Sequence, residues 1–455
     1  VAYQAETTIE DVVKRIPAGL SDRFEIDVLI IDDSSKDKTF ENSYALSKHS
    51  GNPFKIHALF NPVNQGYGGN QKLGYHFAIE KGYDFVALLH GDGQYAPECL
   101  PALLEPLERG EAAAVFGSRM LTPRGALKGG MPLYKFFGNK LLTWTQNRLL
   151  RSSLSEFHSG YRLYSVDALK KIPFESNSND FHFDTEIIIQ LMIAKLRIVE
   201  LPIPTFYGDE ICRVDGIRYA ANVIRTTLQA RLQEYCLFYD RKYDCAPAAP
   251  PPSKLGFPSP QSFVENTIPK SARVLDLHCE HDLEAIPVEK FDFVLMLDVI
   301  EHMASPEQFL DRLRTKLSLN PDAELIISTA NVGFIITRVM LLLGFFNYSK
   351  RGILDLTHTR LFTRSSLRSA LEQAGFIVKQ TKLVPAPFPL ALGQNAISKM
   401  LLSINSLLIA ILPGLFGYQV IARAKARPTV KSLLQSAYRE SSARSEAFDM
   451  VSSSN

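Results

Sequence analysis

An α/β protein with two domains in tandem is what this chain of 455 residues predicts. Three observations carry that expectation. Apolar runs ending in polar turns alternate with helix-patterned stretches from residue 1 to about 120, the mark of a parallel α/β sheet. Six prolines then fall within 14 residues, Pro247 to Pro260, a stretch that no helix or central strand crosses. Beyond it the alternation resumes with ARVLDL (272–277) and FDFVLMLD (291–298).

Composition narrows the class. Apolar residues make up 46% and charged residues 22%, enough to build real cores. A net charge of +2 gives no general attraction to nucleic acid. The five cysteines are scattered without a CxxC pair, which argues against a zinc site and a disulfide framework and for a reducing compartment. The chain opens at Val1-Ala2-Tyr3, inside what reads as the end of a strand. A trimmed N-terminus is expected, and a targeting segment before it stays open.

The first elements follow in order. Thr8 to Ile16 puts Ile9, Val12, Val13 and Ile16 at helical spacing, with Pro17 and Gly19 beyond its end. Ile26 to Ile31 is a strand ending in Asp32-Asp33-Ser34-Ser35-Lys36-Asp37. Acids crowded there need a positive or hydrogen-bonding partner; a solvated loop with Asp37 capping the next helix is the other reading. Lys55 to Leu59 is a strand. Asn64 to Asn70 (NQGYGGN) precedes a helix from about Gln71 to Glu80. Glycines before a helix let backbone N–H groups approach a phosphate, although the P-loop ending is missing.

Phe85 to Leu89 is nearly all apolar, as in a strand buried on both faces. Its polar turn carries Asp92 and Gln94. Ligands of open α/β sheets sit outside the carboxyl ends of the strands. A carboxylate beside an amide oxygen can hold a hard divalent cation, and the cation can hold phosphates. A helix near Leu100 to Glu108 and a strand Ala113 to Phe116, ending in Gly117-Ser118-Arg119, complete the alternation. Pro123 to Leu150 mixes Arg124, Lys128, Lys135, Lys140 and Arg148 with Phe136, Phe137, Leu141 and Trp144. It fits a helix lying on a membrane surface or one packed on its own domain. Phe183-Asp184-Thr185-Glu186 opens an apolar helix, with its acids well placed at an N-terminus. Ile198 to Ile203 is a strand, and Gly216 to Tyr239 a closing helix.

The segments AYQAETTI (2–9), IDDSSKD (31–37), NQGYGGN (64–70), HGDGQ (90–94), GSR (117–119) and HSGYR (158–162) stand in one order. With them the chain resembles the family 2 glycosyltransferases of GT-A nucleotide-sugar fold over roughly residues 1–225. Within that family it looks most like the polyprenyl-phosphate sugar transferases, such as dolichyl-phosphate mannose synthase. The resemblance implies that Tyr3, Glu6 and Asp33 meet the nucleotide's base and ribose, with Gly66 among the donor-binding residues. It implies that Asp92, helped by Gln94, holds Mg²⁺ or Mn²⁺ on the diphosphate, and that Arg119 sits near the sugar or diphosphate. The family's Asp-x-Asp is His90-Gly91-Asp92 here. Imidazole suits Mn²⁺ better than Mg²⁺, so His90 either ligates or packs behind the site. Tyr207 to Arg213 falls where the family has a mobile lid, from which Arg213, with Arg218, would close on the diphosphate.

The family inverts the anomeric centre in one displacement. A hydroxyl acceptor then needs a general base, whereas a phosphate acceptor is already an anion. Glu156 stands where the family has an Asp, as base or acceptor-site carboxylate, and Arg162 offers a fork for an acceptor phosphate. A structural ion pair is the competing reading of both residues.

In the second half, ARVLDL and DVIEHM (298–303) resemble the first-strand and fourth-strand signatures of class I S-adenosylmethionine-dependent methyltransferases, over about residues 262–425. The glycine-rich loop after the first strand is replaced by His278-Cys279-Glu280-His281-Asp282. Only thirteen residues separate Leu277 from Phe291, too few for the helices and strands of the cofactor half. The domain reads as a truncated Rossmann-like methyltransferase domain, and S-adenosylmethionine binding is not expected. The His278 to Asp282 cluster does not have zinc-finger spacing and reads as a surface turn. Met400 to Ala422 carries no charge over 23 residues, but Ser403, Asn405, Ser406 and Gln419 interrupt it and Pro413-Gly414 breaks it. A core or interfacial helix, then a strand Gly417 to Ala424, fits better than a membrane span.

The expected layout is a glycosyltransferase domain (1–240), a Pro-rich linker (241–261), a methyltransferase-like domain (262–425) and a partly disordered tail (426–455). The expected activity is metal-dependent, inverting transfer of a sugar from a GDP- or UDP-linked donor to a lipid phosphate or glycan acceptor, with polyprenyl phosphate favoured. The expected place is the cytoplasm, with peripheral contact to the cytoplasmic membrane face. Two other readings stay open: a bifunctional enzyme that also methylates, and a non-catalytic membrane-surface scaffold.

Overall fold

The computed structural model describes residues 1–49, 51–122, 124–206, 215–235, 237, 239–246, 257–278, 290–318, 320, 322–430, 433–434 and 441. The chain forms two compact units: Val1–Glu234 with Asp240–Ala249, and Tyr235–Tyr239 with Pro250–Asn455. The Pro-rich stretch before 257, the Tyr207 to Arg213 lid and most of the expected tail lie outside the described residues.

In the first unit β1 (Asp27–Asp32) and β2 (Lys55–Phe60) pair in parallel. A second sheet has the order β3 (Phe85–Leu88), β5 (Arg162–Ser165), β4 (Ala114–Ser118), β6 (Ile198–Pro202). Here the structure departs from an all-parallel expectation. β5 runs antiparallel to both β3 and β4, while β4 and β6 are parallel. Side chains alternate across a strand, and the two cores follow that period. Phe116 and Tyr164 pack on one face with Ile187, Ile188 and Leu191. Val115 and Leu163 pack on the other with Leu100, Leu103 and Leu107.

The helices that position the site are α1 (Ile9–Lys14), α2 (Thr39–Lys48), α3 (Gly66–Lys81), α4 (Leu100–Glu108), α5 (Leu133–Leu150), α6 (Phe183–Ile193) and α7 (Gly216–Glu234). α3 begins five residues before the expected Gln71, so the glycine stretch is helix rather than loop. Close packing accounts for the glycine at position 68. A Cβ on Gly68 would meet the Ser178 carbonyl oxygen at 2.6 Å and the Phe183 Cβ at 2.7 Å.

The second unit holds one sheet of order β10 (Phe376–Val384), β11 (Gln419–Ala426), β9 (Glu324–Ala330), β8 (Phe293–Leu297), β7 (Val274–Asp276). β7, β8 and β9 are parallel, and β11 is antiparallel to β9 and β10. One face is covered by α9 (Pro306–Leu317) and α11 (Arg364–Gln373) through Phe309, Leu310, Leu313, Leu367 and Leu371. The other meets α8 (Pro260–Thr267) through Phe263. Ser259 and Pro260 start α8 as cap and first helical residue, the usual division of labour there. Between β9 and α11 lies α10 (Ile335–Leu342). Between β10 and β11 lie α12 (Phe388–Leu392), α13 (Ala396–Ile411) and α14 (Pro413–Phe416).

Candidate active site

The first residues of the chain stitch two strand ends together. Ala2 pairs with Asp32. Its N–H donates to the Ile31 carbonyl at 3.1 Å, and its carbonyl accepts the Asp33 N–H at 2.9 Å. The Val1 carbonyl takes the Gly91 N–H at 3.0 Å, and Thr8 Oγ1 donates to the Gly91 carbonyl at 2.6 Å. Tyr3, Glu6, Asp33 and the turn bearing Asp92 are thereby gathered at the carboxyl ends of β1 and β3. Tyr3 is exposed, and Glu6 Oε2 accepts the Lys38 N–H at 3.0 Å.

Asp33 is buried and already engaged. Its Oδ1 accepts Asn61 Nδ2 at 2.7 Å and the Gln65 N–H at 2.8 Å, and its Oδ2 accepts the Gly66 N–H at 2.9 Å. A carboxylate at a helix N-terminus is favoured by the exposed N–H groups and by the helix dipole. Asp33 thus holds the N-terminal N–H of α3 that a phosphate was expected to meet. Gly66 serves this turn with φ of +77°, and a Cβ there would strike the Asn179 carbonyl oxygen at 2.6 Å.

Asp92 is exposed. Its Oδ1 accepts the Gln94 N–H at 3.0 Å. His90 meets aromatic neighbours. It is half-buried, with Nε2 3.2 Å from Tyr67 Oη, and its ring lies edge-on to Tyr95. A Cβ on Gly160 would sit 2.5 Å from the His90 ring, so the glycine of HSGYR makes room for the histidine of HGDGQ. Burial lowers the His90 pKa against the pull of Asp92, keeping the imidazole neutral. His90 is packed among Tyr67, Tyr95 and Gly160. Among the described residues no group of three His, Cys, Asp or Glu side chains is arranged to hold a metal. One exposed carboxylate fits a magnesium- or manganese-type ion whose remaining ligands come from substrate phosphates and water.

Behind His90 runs a buried network that the sequence did not announce. Tyr67 Oη donates to Asp184 Oδ2 at 2.9 Å, and Gln71 Nε2 donates to Asp184 Oδ1 at 3.2 Å. Asp184 Oδ1 lies 3.6 Å from Arg162 Nη1. Arg162, only 1% exposed, spends its fork on backbone. Nε donates to the Ser159 carbonyl, Nη1 to that of Asp184 and Nη2 to that of Phe157, each at 2.8 Å. A grip on acceptor phosphate is not open to this guanidinium. As the first residue of β5 it points, by the period of the strand, into the same core as Tyr164.

Glu156 is likewise committed. It is 2% exposed. Oε2 accepts the Arg119 N–H at 2.8 Å; Oε1 accepts Arg119 Nε at 3.0 Å, Arg119 Nη2, and Asn139 Nδ2 of α5 at 2.8 Å. Burial pushes its pKa up, but the Arg119 charge and these N–H groups outweigh burial and bring it below the usual value. A carboxylate so satisfied is a weak base, so the ion-pair reading describes Glu156. Arg119, buried by this pair, also donates Nη2 to the His158 carbonyl at 3.1 Å.

His158 Nδ1 lies 2.8 Å from Tyr219 Oη of α7. Burial lowers its pKa to about 4. Tyr219 also lines a pocket of about 300 Å³ with Asp180, Phe181, His182, Asp215, Arg218 and Asn222. Phe181 stacks on Tyr67, ring centroids 5.2 Å apart, which joins the pocket to the His90 network. Arg213 lies outside the described residues, so of the two expected lid cations only Arg218 is placed. α5 borders the same region. Asn139 reaches Glu156 and Gln146 lies 3.4 Å from Thr185, while Leu133, Phe137, Leu141 and Trp144 stand exposed on its outer side.

An α/β unit with acids at the strand ends and an exposed carboxylate in the β3 turn has the makings of a nucleotide-sugar transferase. The family model "Glycosyl transferase family 2" matches residues 1–173, and a "Methyltransferase domain" model matches residues 218–381. The undecaprenyl-phosphate mannosyltransferase of Micrococcus luteus is 31% identical over 192 residues, 41% of this chain and 74% of that protein. The UDP-N-acetylglucosamine–dolichyl-phosphate N-acetylglucosaminyltransferase of Methanococcus voltae is 30% identical over 217 residues, 46% of this chain and 84% of that one. A crystal structure of glucosyl-3-phosphoglycerate synthase from M. tuberculosis aligns at 19% identity and a TM-score of 0.37, covering 50% of this chain and 77% of that one. The chain belongs to glycosyl transferase family 2, with a methyltransferase-like domain following the GT-A domain.

Proposed function

We propose that the chain transfers a sugar from a nucleotide-sugar donor to a polyprenyl phosphate, with inversion and with a divalent cation. One observation carries the acceptor: the carboxylate expected to act as base, Glu156, is buried against Arg119 with its oxygens filled. An acceptor that is already an anion needs no base. The Micrococcus luteus and Methanococcus voltae relatives, named for undecaprenyl phosphate and dolichyl phosphate, support the same class.

On the donor side, Tyr3 and Glu6 border the nucleotide, and Asp33 shapes that border by fixing the start of α3. Asp92, with the Gln94 amide, would hold Mg²⁺ or Mn²⁺, which supplies charge stabilisation for the leaving diphosphate. Arg119 stands near that region with its charge paired to Glu156. Arg162 and His90 act as supports. The pocket lined by Arg218 and Tyr219 is where the sugar or the acceptor headgroup would sit. The outer apolar face of α5 supports a peripheral approach to a membrane, the source of such an acceptor. Among the described residues no helix is long and apolar enough to cross one. The match of residues 218–381 to a methyltransferase domain supports a second reading, in which the chain also methylates.

The donor half is tested by nucleoside diphosphate release over a panel of GDP- and UDP-sugars, with Mn²⁺, Mg²⁺ or EDTA. Release that needs the metal and fails in Asp92→Asn supports it. Release that ignores both removes the metal and Asp92 from the account.

A further inference from the structure

The helices between the strands of the second sheet bare rows of apolar side chains to the outside. α13 buries two polar side chains, Ser398 at 0% and Asn405 at 6% exposed, while Lys399, Ser403 and Ser406 stand on its exposed side. Asn405 Oδ1 accepts the Ala386 N–H at 2.9 Å, and its Nδ2 donates to the Phe416 carbonyl at 3.0 Å. Ile397, Met400, Ile404, Leu407 and Ile411 recur at intervals of three and four and stand exposed, the last two at 65%. α10 repeats the pattern. Thr337 is buried, while Ile336, Val339 and Leu342 face outward. A helix on the surface of a water-soluble domain carries the opposite arrangement.

The topology puts both helices at one end of the sheet. α10 follows β9 and α12 to α14 follow β10. These strands run the same way, because each is antiparallel to β11. Asn331 at the end of β9 ties the two regions together, its Nδ2 donating to the Gly417 carbonyl at 2.7 Å.

The charges of these segments have one sign. Residues 332–354 contain Arg338, Lys350 and Arg351 and no acid; residues 384–422 contain Lys399 and no acid. All four cations are exposed. An apolar face among cations matches a leaflet with anionic headgroups, where each Lys or Arg adds attraction and the apolar residues enter the acyl boundary. Neither helix is long enough to span, so the face lies in the interface.

We propose that the face formed by α10 and α13 docks on an anionic lipid surface and seats the second unit on a membrane. The proposal stands whether or not the first unit transfers sugar.

The test uses the full chain and local reporters. Trp144 is the single tryptophan, so Trp144→Phe gives a silent background. Into it go Leu407→Trp on α13 and, as a solvent reference, Ser369→Trp on α11. Each is mixed with phosphatidylcholine vesicles, with and without phosphatidylglycerol, carrying brominated acyl chains. Melting curves screen for misfolding, and Met400→Trp replaces Leu407→Trp if the latter melts early. The expected result is a blue shift of the Leu407→Trp reporter and at least about fivefold stronger quenching than at Ser369→Trp, confined to anionic vesicles. Adding Arg338→Glu and Lys399→Glu weakens vesicle partitioning by about tenfold or more. Equal quenching at the two positions overturns the proposal. So does a reporter already blue-shifted without vesicles: dependence on protein concentration would mean a second copy covers the face, and independence would mean the chain's own residues do. An unchanged response in the charge-reversed variant overturns the electrostatic part.

Discussion

Glu156→Gln removes one partner of a buried ion pair while keeping the side chain's shape. The Glu156 carboxylate is 2% exposed and Arg119 6%. The variant leaves the guanidinium buried without its counter-charge, and sets an amide against N–H groups that point inward. Breaking such a pair costs about 3–5 kcal/mol. For a unit of this size each kcal/mol moves Tm by roughly 2–4 °C, so the first unit's transition is expected to fall by roughly 6–20 °C. Arg119→Met is expected to cost about as much, for the mirror-image reason. The double variant Arg119→Met/Glu156→Leu places apolar groups of similar volume in the gap and is expected to return to within about 2 kcal/mol of the wild type. Calorimetry of the full chain, with each variant's first transition compared, measures all three. Glu156→Gln melting like the wild type but losing turnover would refute the reasoning and make Glu156 a base. Single-variant losses that simply add in the double variant would refute the charge balance.

The close packing of α3 makes Gly68→Ala destabilising by about 1–3 kcal/mol, since its Cβ has no room beside Ser178 and Phe183; denaturant unfolding would reveal a tolerated substitution. His158, held at about pKa 4 by burial, binds a proton less readily than it does in the unfolded chain. Stability therefore falls as pH drops from about 6.5 towards 4, by roughly 3 kcal/mol in all. The guanidinium midpoint against pH measures this, and a His158→Asn curve as steep as the wild type's would assign the slope elsewhere. Millimolar S-adenosylmethionine is expected to leave the melting curve unchanged; a saturable rise in Tm would move the bifunctional reading ahead.

Much of the fold was legible because its signals are local. Apolar runs such as Phe85 to Leu88 name themselves as strands, and the spacing of Ile9, Val12 and Val13 names a helix. What was not legible depends on distant backbone. Arg162 read as a fork for an acceptor phosphate or as half of an ion pair, because charged side chains are seldom buried against backbone. The carbonyls of Phe157, Ser159 and Asp184 that consume it carry no sequence signature. Asp33 and the glycines of Asn64 to Asn70 read as a donor site, yet the nearest anion to the α3 N-terminus is Asp33 itself. Tyr67 and Asp184 were missed as a pair. Only the helix-start acid in Phe183 to Glu186 hinted at Asp184, and nothing local linked it to His90. In α13, composition showed an apolar segment, but only the fold shows that Asn405 faces in and Leu407 out.

The central claim is that the acceptor brings its own negative charge. The most direct measurement compares transfer of a labelled sugar to a polyprenyl phosphate and to the corresponding polyprenol, with donor and metal fixed. Product on the phosphate and none on the alcohol, with turnover independent of any base titrating near neutral pH, is the expected result. Comparable transfer to the alcohol, with an acidic limb that disappears in Glu156→Gln, would contradict it.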